Sequence, residues 1–199
     1  MDNAFLVAGL GNPGKEYQKT RHNAGFLLLE QWADQSRLPW SFESKFESAL
    51  TRFQHKDSQV FLCRPATYMN ASGRAIARVA EYLKIPIERM LVVVDDADLS
   101  LGTIRMRPGG SSGGHHGLDS IEQHLGSREF ARLRLGIGRN DPKRRQITGH
   151  VLGVFSNDEW PVFEKMLERA RSQVQCWLDH GAAIAMNRFN GSVETAAKD

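Results

Sequence analysis

Residues 5–10, FLVAGL, are a short apolar run that opens directly into glycines at positions 9, 11 and 14, spaced G-x-G-x-x-G. An apolar run ending on a glycine turn reads as a buried β-strand whose carboxyl end leads into a tight loop. From Ala24 to Gln35 apolar residues recur at helical spacing (Phe26, Leu29, Trp32, Ala33), so a helix follows that loop. Residues 91–94, LVVV, form a continuous apolar run of the kind found in strands covered on both faces. Two such strands with a helix between them commit the chain to the α/β class.

The remaining segments fit that class. Residues 49–53 and 59–63 flank a polar turn at Lys56, Asp57 and Ser58 and read as a strand pair. A helix is expected from about Asn70 through Ile76, Val79, Ala80 and Leu83, stopping before Pro86. Residues 103–107 form a further strand, and 108–117 a glycine- and serine-rich loop. A short helix at 118–125 and a strand at 132–137 follow. Ser156 with Glu159 fits a capping box, and Pro161 is tolerated in a first turn. The long helix after it should end near Gly181, with a last turn or two through Met186. The expectation is one α/β domain over residues 1–199, a mixed, mostly parallel β-sheet with helices on both faces.

A chain of 199 residues can bury one sizeable core, and its 41% hydrophobic and 25% charged residues are those of an ordinary globular protein. No apolar window approaches the length of a membrane span, and the chain does not open on a basic stretch followed by a long apolar one. No membrane association and no cleaved export signal are expected. Cys63 and Cys176 are far apart and lack metal-type spacing, so a reduced cytoplasmic protein with incidental thiols is expected. The net charge is only +3, but residues 101–150 carry nine basic residues against four acidic ones. The basic set is Arg105, Arg107, Arg128, Arg132, Arg134, Arg139, Lys143, Arg144 and Arg145; the acidic set is Asp119, Glu122, Glu129 and Asp141. Concentrated arginine suits a phosphate-bearing partner, and a merely solvated basic face is the alternative.

The glycine spacing invites a dinucleotide site, but its context does not. Such a site needs a helix immediately after the turn and an acidic residue ending a second strand about 20 positions on. Here Pro13, Lys15, Glu16 and Tyr17 follow the turn, and Asp34 lies inside the helical pattern. No nicotinamide or flavin cofactor is expected. His22 instead stands at the loop-to-helix boundary, where an imidazole can serve as a general base near neutral pH. A base needs a partner that fixes its tautomer, usually a carboxylate. Asp95 is the best candidate, because ligands of α/β sheets gather at the carboxyl ends of strands and Asp95 directly follows 91–94. Magnesium nucleotide chemistry at Asp95 and Asp96 lacks a G-x-x-x-x-G-K-[ST] loop, and Ser111 and Ser112 lack a nucleophile elbow. Zinc at His22, His115 and His116 is not expected, since adjacent histidines alternate in direction and have no helical ligand spacing. His55, His124, His150 and His180 read as surface or packing residues.

Several blocks together resemble the bacterial peptidyl-tRNA hydrolase family. They are GLGNPG at 9–14, Y-x-x-TRHN-x-G at 17–25, PATYMN-x-SG at 65–73, VDD-x-DL at 94–99, GGH-x-GL at 113–118, RLRLGIG at 132–138 and VL at 151–152. The likeness covers about residues 5–190 in the family's order. It implies a monomeric α/β esterase, without metal or cofactor, that cleaves the ester joining a peptide or N-blocked amino acid to the 3′ end of tRNA. By resemblance His22 activates water and Asp95 orients it. Asn12 and Asn70 position substrate, and Tyr17 and Met69 line the cleft. Arg107 and Arg134 match positions that meet a tRNA phosphate, and Arg105 lies one strand alternation from Arg107. On that reading Arg134→Ala should weaken tRNA substrates and spare a minimal ester.

The pattern departs from the family at one block. His116 stands where relatives have a substrate-contacting asparagine, and Asp119 where they have a basic residue. Retained activity with altered substrate binding or pH dependence is the expectation. A second class, a non-hydrolytic RNA-binding relative of the splicing-factor kind, is opposed by the joint presence of Asn12, His22, Asn70 and Asp95. It is opposed also by the lack of a plastid transit segment before residue 5.

Overall fold

The computed structural model describes residues 3–138 and 148–193. The basic residues Arg139, Lys143, Arg144 and Arg145, with Asp141, lie outside the described residues. The elements in chain order are β1 (Ala4–Gly9), α1 (Ala24–Gln35), β2 (Ser41–Glu43), β3 (Ser48–His55), β4 (Ser58–Pro65), α2 (Ser72–Leu83) and β5 (Met90–Asp96). They continue with β6 (Thr103–Arg107), α3 (His116–Leu125), β7 (Ala131–Gly136), α4 (Thr148–Val151), α5 (Trp160–Phe189) and β8 (Gly191–Ser192). Single 3₁₀ turns at Arg21–Asn23 and Met69–Ala71 lead into α1 and α2.

The strands join one sheet in the order β2-β3-β4-β1-β5-β7-β6-β8. The central four, β4, β1, β5 and β7, are parallel, and antiparallel strands close both flanks. Side chains alternate between two apolar layers, as the period-two pleat requires. On one face Val7, Leu62, Val93 and Leu133 pack against α1 and α5 through Leu28, Leu29, Trp32, Phe163 and Val174. On the other, Leu6, Phe61, Val92 and Val94 meet α2 and α3 through Ile76, Val79, Leu118 and Ile121. Mixed sheet and two-sided cover agree with the fold expected from the sequence.

Two glycines set how tightly α1 sits. A Cβ on Gly25 would lie 2.4 Å from the Val93 carbonyl oxygen, and one on Gly9 would lie 2.4 Å from that of Gly25. The first turn of α1 therefore rests on bare backbone of β1 and β5, which carries the preceding turn, Arg21–Asn23, over the strand ends. Ser156 and Glu159 form the expected reciprocal cap, with Ser156 N–H donating to Glu159 Oε2 at 2.7 Å and Glu159 N–H to Ser156 Oγ at 3.3 Å. Glu159 also binds the buried Arg21 guanidinium at 2.8 Å, fixing the residue next to His22.

Some boundaries differ from the sequence reading. The loop after β6 ends at His115, not 117, because α3 starts at His116 with the His115 side chain as its cap. The helix expected from Asn70 starts as a 3₁₀ turn and becomes α-helical at Ser72. Gly181 breaks α5 at φ 78°, ψ 175°, but helix continues beyond it to Phe189. The buried Gln173 holds the two arms together by donating to Ala185 O and Asn190 Oδ1.

Candidate functional site

His22 and Asp95 come from different strand ends and meet. Chain direction brings this about. β1 pairs with β4 on one side and β5 on the other, while α1 and α2 cover opposite faces. The crevice at the carboxyl ends of β1 and β5 is thus a topological switch point, the usual location of a site in an open α/β sheet. His22 lies in the turn after β1 and Asp95 is near the end of β5. His22 Nδ1 is 2.9 Å from Asp95 Oδ1.

A second histidine reaches the same carboxylate oxygen, His115 Nε2 at 3.0 Å. The two imidazoles lie 5.3 Å apart between centroids, tilted by 47°. Sequence reasoning weighed His115 only as a metal ligand and missed this contact. The two histidines join the site from 73 and 20 residues away in the chain, a separation that leaves no spacing signal. The one local cue was the helix start beside it. His115 Nδ1 accepts from the N–H groups of Gly117 and Leu118 at 3.2 and 3.4 Å.

Those contacts determine the protons. An ionised carboxylate only accepts, so both histidines donate to Asp95: His22 through Nδ1–H and His115 through Nε2–H. His115 Nδ1, already accepting two backbone N–H groups, agrees with that tautomer. In the neutral form of His22 the remaining lone pair is then on Nε2, which has no hydrogen-bond partner among the described residues. Burial pushes the Asp95 carboxyl up, since its side chain is only 3% exposed. The hydrogen bond from His115, with the positive charge that ring carries when protonated, and then the same two effects of His22, outweigh burial and hold it down at about 2. Asp95 is therefore a fixed anion across the neutral range.

His22, Asp95 and His115 offer three ligand atoms within 4.8 Å of one another, close enough to meet at a cation. An ion there would have to replace both N–H donors on Asp95 Oδ1, and with His115 Nδ1 capping α3 the set fits a hydrogen-bonded triad better.

Asn12 is held on three sides. Its N–H donates to Asn23 Oδ1 at 2.8 Å, its carbonyl accepts from Asn23 Nδ2 at 3.0 Å, and its Oδ1 accepts from Met69 N–H at 2.9 Å. The Asn12 NH₂ has no partner among the described residues, so both of its N–H donors are unengaged. Asn23 is a second residue the sequence reading missed. Met69 is buried, with its sulfur packed where a Cβ on Gly117 would lie, 2.6 Å away. Tyr17 is half-buried and Asn70 is exposed.

His116 is not brought to the triad. It opens α3 with its side chain 81% exposed, and Nδ1 lies 3.8 Å from the Asp119 carboxylate one turn on. Arg105 and Arg107 are exposed on one face of β6, opposite Arg134 and Arg132 of β7 in register. Arg134 is different. Its guanidinium donates to Asp96 Oδ2 at 3.2 Å and to the carbonyls of Ser111 and Ser112 at 3.0 and 2.9 Å.

Fold and site define an α/β protein with a histidine–carboxylate centre at the sheet's switch point, beside an amide held by backbone and a rim of arginine. The comparisons with known proteins are specific. The peptidyl-tRNA hydrolase family model matches residues 6–198. The chain is similar to the peptidyl-tRNA hydrolase of a Synechococcus strain, 45% identical over 186 residues that cover 93% of this chain and 82% of the relative. It is 46% identical to that of Thermus thermophilus, over 94% of this chain and 96% of the relative. The crystal structure of Acinetobacter baumannii peptidyl-tRNA hydrolase superposes with a TM-score of 0.88 at 37% identity, over 96% of this chain and 97% of that one. The chain belongs to the peptidyl-tRNA hydrolase family.

Proposed function

We propose that this protein hydrolyses the ester between a peptide or N-blocked amino acid and the 3′ end of tRNA, with His22 as the general base. The observation that carries the reading is the 2.9 Å His22–Asp95 contact, which leaves Nε2 of His22 as the free lone pair. In this mechanism Nε2 takes a proton from water as its oxygen bonds to the ester carbonyl carbon. Asp95 holds the ring's tautomer and offsets the imidazolium charge that forms. As the tetrahedral intermediate collapses, the carbon–oxygen bond to the ribose breaks. The imidazolium proton passes to the departing 3′-oxygen, which restores the base and releases the tRNA.

The free amide of Asn12 is suited to donate to the carbonyl oxygen as it gains charge. Tyr17 and Met69 are assigned to the walls, and Asn70 and His116 to the exposed rim where the peptide enters. Arg105 and Arg107 are assigned to phosphates of the acceptor end, which is held mainly by charge and by contacts to the backbone. The reading includes a monomer of one domain acting in the cytoplasm; no helix among the described residues is long and apolar enough to cross a membrane.

N-acetyl-phenylalanyl-tRNA, with unblocked phenylalanyl-tRNA as control, tests the proposal. The protein should release N-acetyl-phenylalanine and leave the unblocked substrate intact, and His22→Ala should abolish release while still binding tRNA. Binding without hydrolysis by the unaltered protein would favour an RNA-binding relative. Full activity in His22→Ala would remove His22 as the base.

A further inference from the structure

Among the described residues His22 makes one side-chain hydrogen bond, to Asp95, so its aim depends on the turn that carries it. The residues on either side of it are buried and anchored. Asn23 grips the Asn12 backbone with both atoms of its amide. Arg21 is anchored more widely. Its N–H donates to Gly153 O at 2.9 Å and Thr20 bridges Val154 in the antiparallel sense, which lays residues 153–154 along the turn. Its guanidinium directs one terminal nitrogen to both carboxylate oxygens of Glu159, at 3.0 and 2.8 Å, and the other to Ile137 O at 3.5 Å. The guanidinium carbon lies 4.5 Å from the centre of the Phe155 ring. Ile137 in turn donates its N–H to Asp96 O at 3.0 Å. Arg21 directly precedes His22 and Asp96 directly follows Asp95, so a second, buried link runs beside the His22–Asp95 bond.

We infer that Arg21 is a positioning residue for ester hydrolysis: through Glu159 and Ile137 it locks the Arg21–Asn23 turn, so that His22 Nδ1 stays on Asp95 and Nε2 keeps its aim at the attacking water. The inference rests on the hydrolytic role proposed above. Packing alone does not ask for a cation at this place. Phe155 stacks on Phe163 with centroids 4.1 Å apart, a setting that an apolar side chain would suit. Exchanging a buried ion pair for apolar groups of similar volume is often neutral for stability, whereas removing one partner alone is costly. Arg21, with its side chain 6% exposed, supplies what an apolar residue lacks, directed bonds to the start of α5 and to the end of β7. Without them the turn keeps its place in the core, but the His22 ring loses its fixed approach to Asp95.

The experiment separates positioning from stability with the double variant Arg21→Met/Glu159→Gln. Methionine fills the space apolarly, and glutamine at 159 keeps the reciprocal cap with Ser156. Rates are followed on N-acetyl-phenylalanyl-tRNA and on 3′-O-(N-acetylphenylalanyl)adenosine, which has the ester and no phosphate. The folded double variant should lose about tenfold or more in kcat on each ester that the unaltered protein cleaves, with KM within about twofold, because small misplacements at a reacting centre cost up to about 100-fold. Arg21→Lys keeps the charge but not the planar set of donors, and should be slowed in the same way. In protein labelled with ¹⁵N-histidine, the His22 Nδ1–H signal should vanish in both variants while the His115 Nε2–H signal persists. The inference is overturned if a folded variant keeps its kcat, if only KM rises, or if kcat falls with the His22 signal intact. Should the double variant fail to fold, Arg21→Lys decides by the same two readouts. Should the unaltered protein cleave neither ester, the hydrolytic reading fails, and the His22 signal alone judges the role of Arg21, its retention in the folded variants refuting it.

Discussion

Asp95 is the residue on which the others converge, and its charge has a cost that two histidines offset. Its folded pKa of about 2 lies below the ordinary 3.8 of an aspartate, so the folded state binds its proton less readily than the unfolded chain does. Stability from this group is fully present above about pH 4 and is lost as pH falls through about 2. The shift corresponds to about 2 kcal/mol at neutral pH. Asp95→Asn should remove that component, so that its urea-unfolding free energy falls less steeply between pH 4 and 2 than that of the unaltered protein. Equal slopes would mean that the histidines do not stabilise the anion. At this scale the sequence was informative wherever chemistry and chain position coincide. His22 sits at a loop-to-helix boundary and Asp95 near a strand end, and both follow from residue type and place. His115 and Asn23 act across the fold, one through a loop and a helix cap and the other by bonding a neighbouring turn. No spacing rule connects either to its partner.

Elements of regular period were legible and short ones were not. The apolar run of β5 and the helical stripe of α1 follow from burial on two faces and on one. β2 and β8 have three and two residues and α4 has four, too few for a period to show. Close packing between elements was equally hidden, because a glycine in a sequence does not disclose what approaches it. Gly73 in the first turn of α2 is the sharpest case. A Cβ there would lie 2.0 Å from Ser120 O of α3, and the Gly73 N–H donates to Ser120 Oγ at 3.1 Å. α2 and α3 thus touch backbone to backbone just where one leaves Met69 and the other leaves His115. Gly73→Ala forces the helices apart, and overpacking of this kind costs about 1–3 kcal/mol. The melting temperature should fall by about 2–12 °C in a chain of this size. An unchanged melting curve would show that the crossing relaxes freely.

For the whole molecule, the sheet order does what no segment does alone. It sets β1 and β5 side by side so that a histidine and a carboxylate 73 residues apart in the chain share one crevice. β6 and β7 extend the same sheet sideways and carry four arginines on one face, Arg105 opposite Arg134 and Arg107 opposite Arg132. The charge asymmetry was legible in the sequence, but its division was not. Arg132 and Arg134 are turned inward to the loop, which leaves Arg105 and Arg107 as the exposed pair. That division makes a prediction about salt. Each phosphate neutralised by a bound cation releases counterions, and for single strands the slope of log affinity against log salt is about −0.7 per contact. Arg107→Ala should weaken tRNA binding and make that slope shallower by roughly one contact's worth. Hydrolysis of the phosphate-free adenosine ester should be unaffected, since among the described residues the exposed Arg107 side chain makes no hydrogen bond or ion pair to the loop that follows it or to the triad. A slope unchanged in Arg107→Ala and also in Arg105→Ala would place the phosphate contacts elsewhere on the surface and leave β6 as a merely solvated edge.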